Sequence, residues 1–286
     1  MELIFSLVIN GLATGMLIFL LAAGLTLIFG LMHVLNFAHG GLFIWGAYTG
    51  VWIFQMTNSF LLGIVLAIIM GLLLGLVTER LIIRPVYGNT IQQILITLGF
   101  MLVLQEMVKV AFGPDQKAVF PPEYLQGSFL LGDIVLIKYR LFIIAVGLLV
   151  FLVATFILKR TRIGLIVRAG VMDNEMVQSL GINIKLVFML VFMVGSALAS
   201  LSGILFAPYS GVIYAEMGLE FSILAFIVVV IGGMGSFSGS LLAALLVGLA
   251  QAFMAYYVPA LSLAVNMLLM LVVLIFRPQG LFRVKE

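Results

Sequence analysis

The first part of the chain is a long apolar stretch that few polar positions interrupt. No Asp, Glu, Lys or Arg occurs between Glu2 and Glu79. A membrane-spanning helix needs about 20 apolar residues, so this interval has room for about three such helices. Short polar breaks divide it into segments at roughly 4–30, 40–56 and 60–78. The pattern therefore predicts three membrane-spanning helices here.

The rest of the chain continues this pattern, with turn residues and charges between the apolar segments. Further spans are predicted at roughly 91–110, 141–158, 186–207, 219–232, 239–257 and 258–276. The ninth segment directly follows the eighth in the sequence, which leaves open that one of the two is short or re-entrant. The predicted fold class is all-α, a polytopic transmembrane helical bundle of about eight spans within a range of roughly seven to ten. Broken helices are compatible with this pattern.

Composition supports the assignment to a membrane protein. Hydrophobic residues make up 64% of the chain and charged residues 9%, with a mean hydropathy of +1.33. Soluble domains carry about a quarter charged residues, so an ordinary globular protein is excluded. The absence of cysteine excludes disulfides, thiolate catalysis and cysteine-based metal sites. The N-terminus lacks the basic region of a signal peptide, so the first segment is predicted to be a retained span.

Basic residues are concentrated in three of the predicted connections. Segments 79–90 and 159–185 and the tail from Arg277 hold most of the 14 Lys and Arg residues. Cytoplasmic loops are enriched in Lys and Arg, which places these segments in the cytoplasm and the N-terminus outside. Residues 1–286 are then one transmembrane domain, with a cytoplasmic loop at 159–185 and an extracytoplasmic loop at 111–140.

The predicted spans offer little for catalysis or for ion coupling. His33 and His39 are the only histidines, and on a helix they would point about 120° apart, a poor geometry for a shared metal. Metalloprotease, nucleophile-elbow and phosphate-loop motifs are absent from the sequence. Carriers driven by protons or sodium place ionisable side chains within the membrane. We therefore predict that the chain is not an enzyme, and that energy for any transport comes from another chain.

Small residues recur at every fourth position in three of the predicted helices. Gly63, Ala67, Gly71 and Gly75 form one such face, and comparable faces occur within 195–207 and 240–252. Small faces allow helix backbones to approach closely in lipid. We favour tight helix packing over a pore lining for these faces.

Two polar interruptions lie between apolar segments, at Asn36–Gly41 and at Ile231–Gly239. Irregular backbone at membrane depth is tolerated where it is buried in protein or lines a wet cavity. Each interruption is therefore either an ordinary tight turn at the membrane surface or a broken helix beside a transport path. Under the second interpretation, the candidate path residues are Asn36, His39, Gly40, Gly232, Gly233 and Gly235.

The loop 159–185 contains the signals of a helix of its own. Asp173 is a suitable N-cap and Gly181 a suitable residue beyond the C-terminus, which predicts a short helix over roughly 174–180. Val177 and Ile182 are spaced for the apolar contact of a Schellman ending. A short capped helix with an apolar face fits a groove of a partner protein, or alternatively lies on the membrane surface.

Three motifs resemble those of high-affinity branched-chain amino-acid ABC permeases, over nearly the whole chain. The segment Gly30–Gly40, which reads GLMHVLNFAHG, precedes Gly46-Ala47-Tyr48 and resembles the N-terminal signature of the family. Gly232–Ser236 with Gly239 resembles the late glycine-rich stretch. The loop 159–185 is similar to the family loop that docks on the ATPase, although its runs at 164–167 and 171–172 are more apolar than is usual there. By this resemblance, the ATPase-coupling residues are Arg162, Gly164, Arg168, Asp173, Asn174, Glu175, Val177, Leu180 and Gly181.

The resemblance implies the smaller permease chain of a heteromeric importer in the bacterial inner membrane. A second related permease would complete the path, and two cytoplasmic ATP-binding subunits would drive transport. Those subunits would bind ATP and Mg²⁺, and this chain would hold no cofactor. A periplasmic binding protein would deliver branched-chain or related amino acids, although the family also includes permeases for urea and short amides. The alternative function, from a different functional class, is that of a passive channel or facilitator.

Overall fold

The computed structural model describes residues 2–131, 134–172, 174–262 and 264–282, which contain eleven α-helices and four short strands. The helices are α1 Glu2–Met32, α2 His39–Thr57, α3 Phe60–Val77, α4 Thr90–Phe112, α5 Lys138–Arg160, α6 Arg162–Met172, α7 Asn174–Ser179, α8 Ile184–Ser210, α9 Met217–Gly232, α10 Phe237–Tyr257 and α11 Ala264–Phe276. The strands are β1 Lys117–Ala118, β2 Ser128–Leu131, β3 Ile134–Ile137 and β4 Val212–Ile213. A π-helical turn follows α3 at Thr78–Ile83, and 3₁₀ turns occur at Arg84–Val86, Glu123–Leu125 and Pro259–Leu261.

The predicted helical bundle is confirmed. Each of the nine predicted segments contains one helix, namely α1 to α5 and α8 to α11. Six of these helices are long and apolar enough to cross a membrane (α1, α3 with its following turns, α4, α5, α8 and α10). The shorter members are α2 with 19 residues, α9 with 16 and α11 with 13. The crowded eighth and ninth segments are separate helices, α10 and α11, divided by the turn Pro259–Leu261.

Helix α1 runs through the centre of the bundle. In its most apolar stretch 83% of the residues are buried, against 11% in α5 at the periphery. Glycines allow its neighbours to approach: a Cβ on Gly11 would lie 2.7 Å from Leu249 Cα, and one on Gly15 would lie 2.9 Å from Leu245 Cα. The α1–α10 crossing is thus a backbone-to-backbone contact.

The small-residue faces are packing faces. Gly63, Ala67, Gly71 and Gly75 are all buried in α3, where a Cβ on Gly71 would lie 2.7 Å from Ser196 O of α8. In the next crossing, a Cβ on Gly203 would overlap the carbonyl oxygen of Phe43 in α2. These contacts confirm the interpretation that the small faces serve close packing.

The helices alternate in direction, so the connections gather at two ends of the bundle. At one end, residues of α1, the π-helical turn, α6, α7 and α8 share an apolar cluster that includes Leu31, Ile83, Val167, Val177 and Phe188. We call this the basic end, because the predicted basic segments 79–90 and 159–185 lie there. The tail joins them through Leu281 N–H, which donates to Ile231 O at 2.8 Å, and Phe282 N–H, which donates to Gly232 O at 3.2 Å.

The opposite end carries the strands, which the sequence patterns did not predict. β1 pairs antiparallel with β4, with Lys117 opposite Ile213, and β2 pairs with β3, with Ser128 opposite Ile137. These pairs lie in the predicted loop 111–140 and in the connection between α8 and α9. We call this the loop end.

Candidate functional site

The loop 159–185 forms two helices where the sequence predicted one. α5 ends at Arg160 and α6 begins at Arg162 after a sharp turn. Thr161 Oγ1 accepts a hydrogen bond from Gly164 N–H at 3.2 Å, which caps the start of α6. A Cβ on Gly164 would overlap Ile157 O and Leu158 O. Gly164 is therefore needed for the sharpness of the turn, because no side chain fits between α5 and α6.

One face of helix α6 packs against the other helices, and the opposite face is exposed. Val167 is 7% exposed and belongs to the apolar cluster at the basic end. A Cβ on Gly170 would contact Leu31 of α1 and Ile184 of α8. On the outward face, Ile163 is 66% exposed and Leu165 61% exposed. Arg168 Nε donates to Gly164 O at 3.3 Å, which holds its guanidinium along the helix.

Helix α7 ends in the predicted Schellman motif. Gly181 has φ +81, its N–H donates to Gln178 O at 2.9 Å, and Ile182 N–H donates to Val177 O at 3.4 Å. Val177 is 2% exposed and packs in the same cluster as Ile182, as the predicted apolar contact requires. Asn174 and Glu175 lie at the start of α7, and the predicted N-cap Asp173 lies outside the described residues. Leu180 is 72% exposed just after the helix.

The first polar interruption is a break inside the bundle. α1 ends at Met32, and His33 has φ +52. The chain then returns along α1, because His39 Nε2–H, at the start of α2, donates to Leu21 O at 3.0 Å. Eleven residues of α1 separate Leu21 from Met32, a rise of about 16 Å. α2 therefore begins in the interior of the bundle and not at its basic end.

Hydrogen bonds satisfy the backbone of this break. Phe37 N–H donates to Thr97 Oγ1 at 3.3 Å, and Gly40 N–H donates to Ser222 Oγ at 2.8 Å. The Ser222 hydroxyl in turn donates to Phe37 O at 2.7 Å. A Cβ on Gly40 would overlap Gly218 O, so α2 and α9 cross here without a side chain between them. Irregular backbone is thus tolerated at this depth because other helices supply its partners.

Two buried polar atoms in the break, Asn36 Nδ2 and His39 Nδ1, lack a hydrogen-bond partner within the described residues. Asn36 is 3% exposed, and its Oδ1 accepts a hydrogen bond from Ala38 N–H at 3.1 Å. Its Nδ2 has no hydrogen-bond partner within the described residues. Asn36 lines a small cavity of about 10 Å³ with Leu25, Leu35, Phe37, Ser222 and Phe226.

The second polar interruption has the geometry of a tight turn at the basic end. A Cβ on Gly232 would lie 2.6 Å from Gly239 C, and one on Gly30 would lie 3.1 Å from Gly235 Cα. Gly233 and Gly235 have φ +97 and +90, which glycine adopts readily. The structure therefore separates the six candidate path residues into two groups, since Asn36, His39 and Gly40 lie at the interior break.

Several polar residues near the break and at the basic end were not identified from the sequence. Ser222 and Thr97 hold the break, but lone hydroxyls within apolar segments carry no local signal. Glu79 is 1% exposed in the π-helical turn, where Tyr87 Oη–H donates to its Oε1 at 2.7 Å. Burial, and then the hydrogen bond to Glu79, raise the pKa of Tyr87, so its phenol stays protonated as the donor.

An ion-pair group joins α4 to the start of α9 at the loop end. Lys109 Nζ lies 2.8 Å from Glu216 Oε1 and 3.0 Å from Glu106 Oε1. The hydrogen bond from Lys109 lowers the pKa of the Glu216 carboxyl. Glu106 and Lys109 both lie in the last two turns of α4.

Comparison with known proteins finds a family and several relatives. Residues 7–276 match the model of a family described as "Branched-chain amino acid transport system / permease component". The permease protein BraD of the high-affinity branched-chain amino acid transport system of Pseudomonas aeruginosa is 32% identical, covering 96% of this chain and 94% of BraD. The corresponding LivH of Escherichia coli K12 is 30% identical, covering 95% of this chain and 93% of LivH.

Two further likenesses are more distant. LivM of Escherichia coli K12, also a permease protein of that transport system, is 27% identical over 93% of this chain, but the match spans only 68% of LivM. A solved structure titled "PsaBC from Streptococcus pneumoniae in complex with Fab" aligns with a TM-score of 0.52, covering 94% of this chain and 91% of that one. At 14% identity, this second likeness concerns the fold alone.

Proposed function

Because the chain belongs to the family of branched-chain amino acid transport permeases, we propose that it imports branched-chain or related amino acids as a subunit of an ATP-driven ABC transporter. In this role the chain is a multi-pass membrane protein without catalytic residues or a cofactor of its own. The single observation that carries the proposal is the family match, which extends over residues 7–276. The lengths of BraD and LivH, which the match covers almost completely, support assignment to the smaller type of permease chain.

The proposed assembly contains four further subunits. A second, related permease completes the path, and the similarity of this chain to both LivH and LivM supports such a pair. Two cytoplasmic subunits bind and hydrolyse ATP with Mg²⁺, and a periplasmic binding protein delivers the amino acid. The complex lies in the bacterial inner membrane. The basic end faces the cytoplasm with the C-terminus, and the N-terminus is outside, as the placement of Lys and Arg favours.

The ATP-binding subunits dock on a coupling surface at the basic end, formed by the exposed apolar side chains Ile163, Leu165 and Leu180. Exposed apolar groups of this size are typical of protein contacts. The surface is connected to the bundle, because Val177 of α7 and Val167 of α6 pack in one cluster with α1 and α8. Closure of the ATP-binding subunits then moves α6 and α7, and the packed helices follow as rigid bodies.

The coupling residues named from the sequence have different roles in this proposal. Gly164 and Gly181 set the backbone turns, and Val177 anchors α7 to the bundle. Arg162 and Arg168 add positive charge beside the outward face of α6. Asp173, Asn174 and Glu175 are proposed to contact the ATP-binding subunit.

Reconstitution in proteoliposomes tests the proposal. With the second permease, the ATP-binding subunits and the binding protein present, we expect ATP-dependent uptake of leucine. Omission of the ATP-binding subunits abolishes uptake, because this chain carries no phosphate loop. Flux through the chain alone would instead support a passive channel. ATP-dependent uptake of urea or a short amide, without uptake of leucine, would assign the chain to the other substrates of the family.

A further inference from the structure

The cavity at the interior break contains an unsatisfied hydrogen-bond donor held in a fixed orientation. Ala38 N–H donates to Asn36 Oδ1, so the amide group cannot turn over without losing this bond. Nδ2 finds no partner among the described residues. A buried donor without an acceptor is costly, and such groups in native proteins bind water or a ligand.

The walls of the cavity limit what this donor can bind. Leu25, Leu35, Phe37 and Phe226 supply apolar surface, and the Ser222 hydroxyl already donates to Phe37 O. The N-terminus of α2 lies beside the cavity, and the positive end of a helix dipole favours an anionic group. An apolar chamber with one amide donor and a helix N-terminus is complementary to an apolar amino acid that presents its carboxylate.

The cavity is too small for a substrate in this structure. Its volume of about 10 Å³ is at the lower limit for one water molecule. Phe37 and Phe226 lie at its rim with their ring centroids 5.7 Å apart, and both rings are only partly buried. Separation of these two rings would enlarge the chamber. Leu35, which also lines it, is likewise only partly buried. Entry of a substrate therefore requires movement of the linker 33–38 relative to α9.

We propose that Asn36 is a substrate-binding residue of the transport path, whose Nδ2 donates to the carboxylate of the amino acid while Leu25, Leu35, Phe37 and Phe226 receive its side chain. This inference rests on the proposed import of amino acids and adds the chemical group that the path recognises. It also distinguishes Asn36 from His39, whose imidazole is fully buried, donates to Leu21 O and does not line this cavity.

Two substitutions at position 36 test the carboxylate contact in the complete reconstituted transporter. Asn36→Ala removes the donor, and we expect the leucine imported per ATP hydrolysed to fall roughly tenfold, as loss of a hydrogen bond to a charged group predicts. Asn36→Asp keeps the acceptor for Ala38 N–H but places a carboxylate against the substrate. Because Ala38 N–H and the α2 N-terminus favour ionisation of that carboxylate, Asn36→Asp should import less than Asn36→Ala.

Asn89→Asp is the matched control, since Asn89 Oδ1 also accepts a backbone hydrogen bond, from Gln92 N–H, but lies outside the cavity. It should import as the wild type does. ATP hydrolysis stimulated by the binding protein and the midpoint of thermal unfolding should be unchanged in Asn89→Asp, and both are measured for the two Asn36 variants so that a loss of folding is distinguished from a loss of import. Wild-type import per ATP in both Asn36 variants would overturn the contact, and import by Asn36→Asp at or above that of Asn36→Ala would overturn the carboxylate assignment. Failure of the wild-type complex to import any amino acid would instead overturn the proposed function.

A second measurement leaves Asn36 in place. The natural chain has no cysteine, so Leu35→Cys introduces a single thiol at the cavity wall. We expect leucine-loaded binding protein, compared with ligand-free binding protein, to slow modification of this thiol severalfold during ATP-driven turnover. An equal modification rate in the two conditions would contradict occupation of the cavity by substrate.

Discussion

At the residue scale, the bundle depends on glycines that leave no room for a side chain. The crossing of α2 and α8 is one of the tight examples. A Cβ on Gly203 would overlap Phe43 O, and Ser200 Oγ–H donates to Leu42 O at 2.9 Å in the same crossing. The backbone of α8 thus lies directly on the backbone of α2, just beyond the interior break. An alanine at such a position would clash with backbone atoms, so one of the two helices would have to shift.

We expect Gly203→Ala to destabilise the protein by about 1–3 kcal/mol, the usual range for overpacking of a close contact. Thermal unfolding in detergent measures the loss. Gly99→Ala is the matched control, because Gly99 lies within α4 and a Cβ there would have no neighbouring atom within 4 Å. Alanine is favoured over glycine within helices, so this control should be neutral or stabilising by up to about 1 kcal/mol. Equal unfolding midpoints for the two variants would contradict the importance of the α2–α8 contact.

At the element scale, the two helices of the loop 159–185 show which features the sequence could predict. α7 was predicted correctly because Gly181 and Ile182 carry a local signal, the Schellman ending. α6 was missed because two glycines and four β-branched residues in Arg162–Met172 give it a weak intrinsic preference for helix. What stabilises α6 is distant in sequence, namely the packing of Val167 and Gly170 against α1 and α8. Local patterns contain no information about such contacts.

The ending of α7 gives a prediction for coupling. A β-branched residue is strained at positive φ, so Gly181→Val should distort the turn that presents Leu180. In reconstituted vesicles we expect ATP hydrolysis to continue while import per ATP falls severalfold. Gly211→Val is the matched control, since Gly211 has φ +78, has open space around it and also ends a helix, but lies at the loop end. The same loss of coupling in both variants, or in neither, would argue against the coupling surface.

At the scale of the whole molecule, the sequence predicted the number of helical segments better than how deep in the bundle each segment begins. Nine apolar segments became nine helices, and the charges separated the two ends of the bundle. The interior start of α2 could not be derived, because the polar residues of Asn36–Gly41 suit a surface turn equally well. Contacts with Leu21, Thr97 and Ser222 place that segment inside, and each comes from another part of the chain. For the same reason, the two glycine-containing interruptions looked alike in sequence and differ in structure.

The proposed orientation, with all nine helices crossing the membrane and the termini on opposite faces, predicts a labelling pattern. Because the natural chain has no cysteine, single cysteines can report the side of each connection without a background. Gln126→Cys and Ala260→Cys lie in exposed connections after α4 and after α10, so a membrane-impermeant maleimide should label both in intact spheroplasts. Gly88→Cys and Thr161→Cys lie at the basic end and should react only after the membrane is permeabilised. The decisive position is Ala260, because α11 has only 13 residues. If α10 and α11 formed a re-entrant pair that stayed on the cytoplasmic side, this cysteine would remain protected in intact spheroplasts and the bundle would have two fewer crossings.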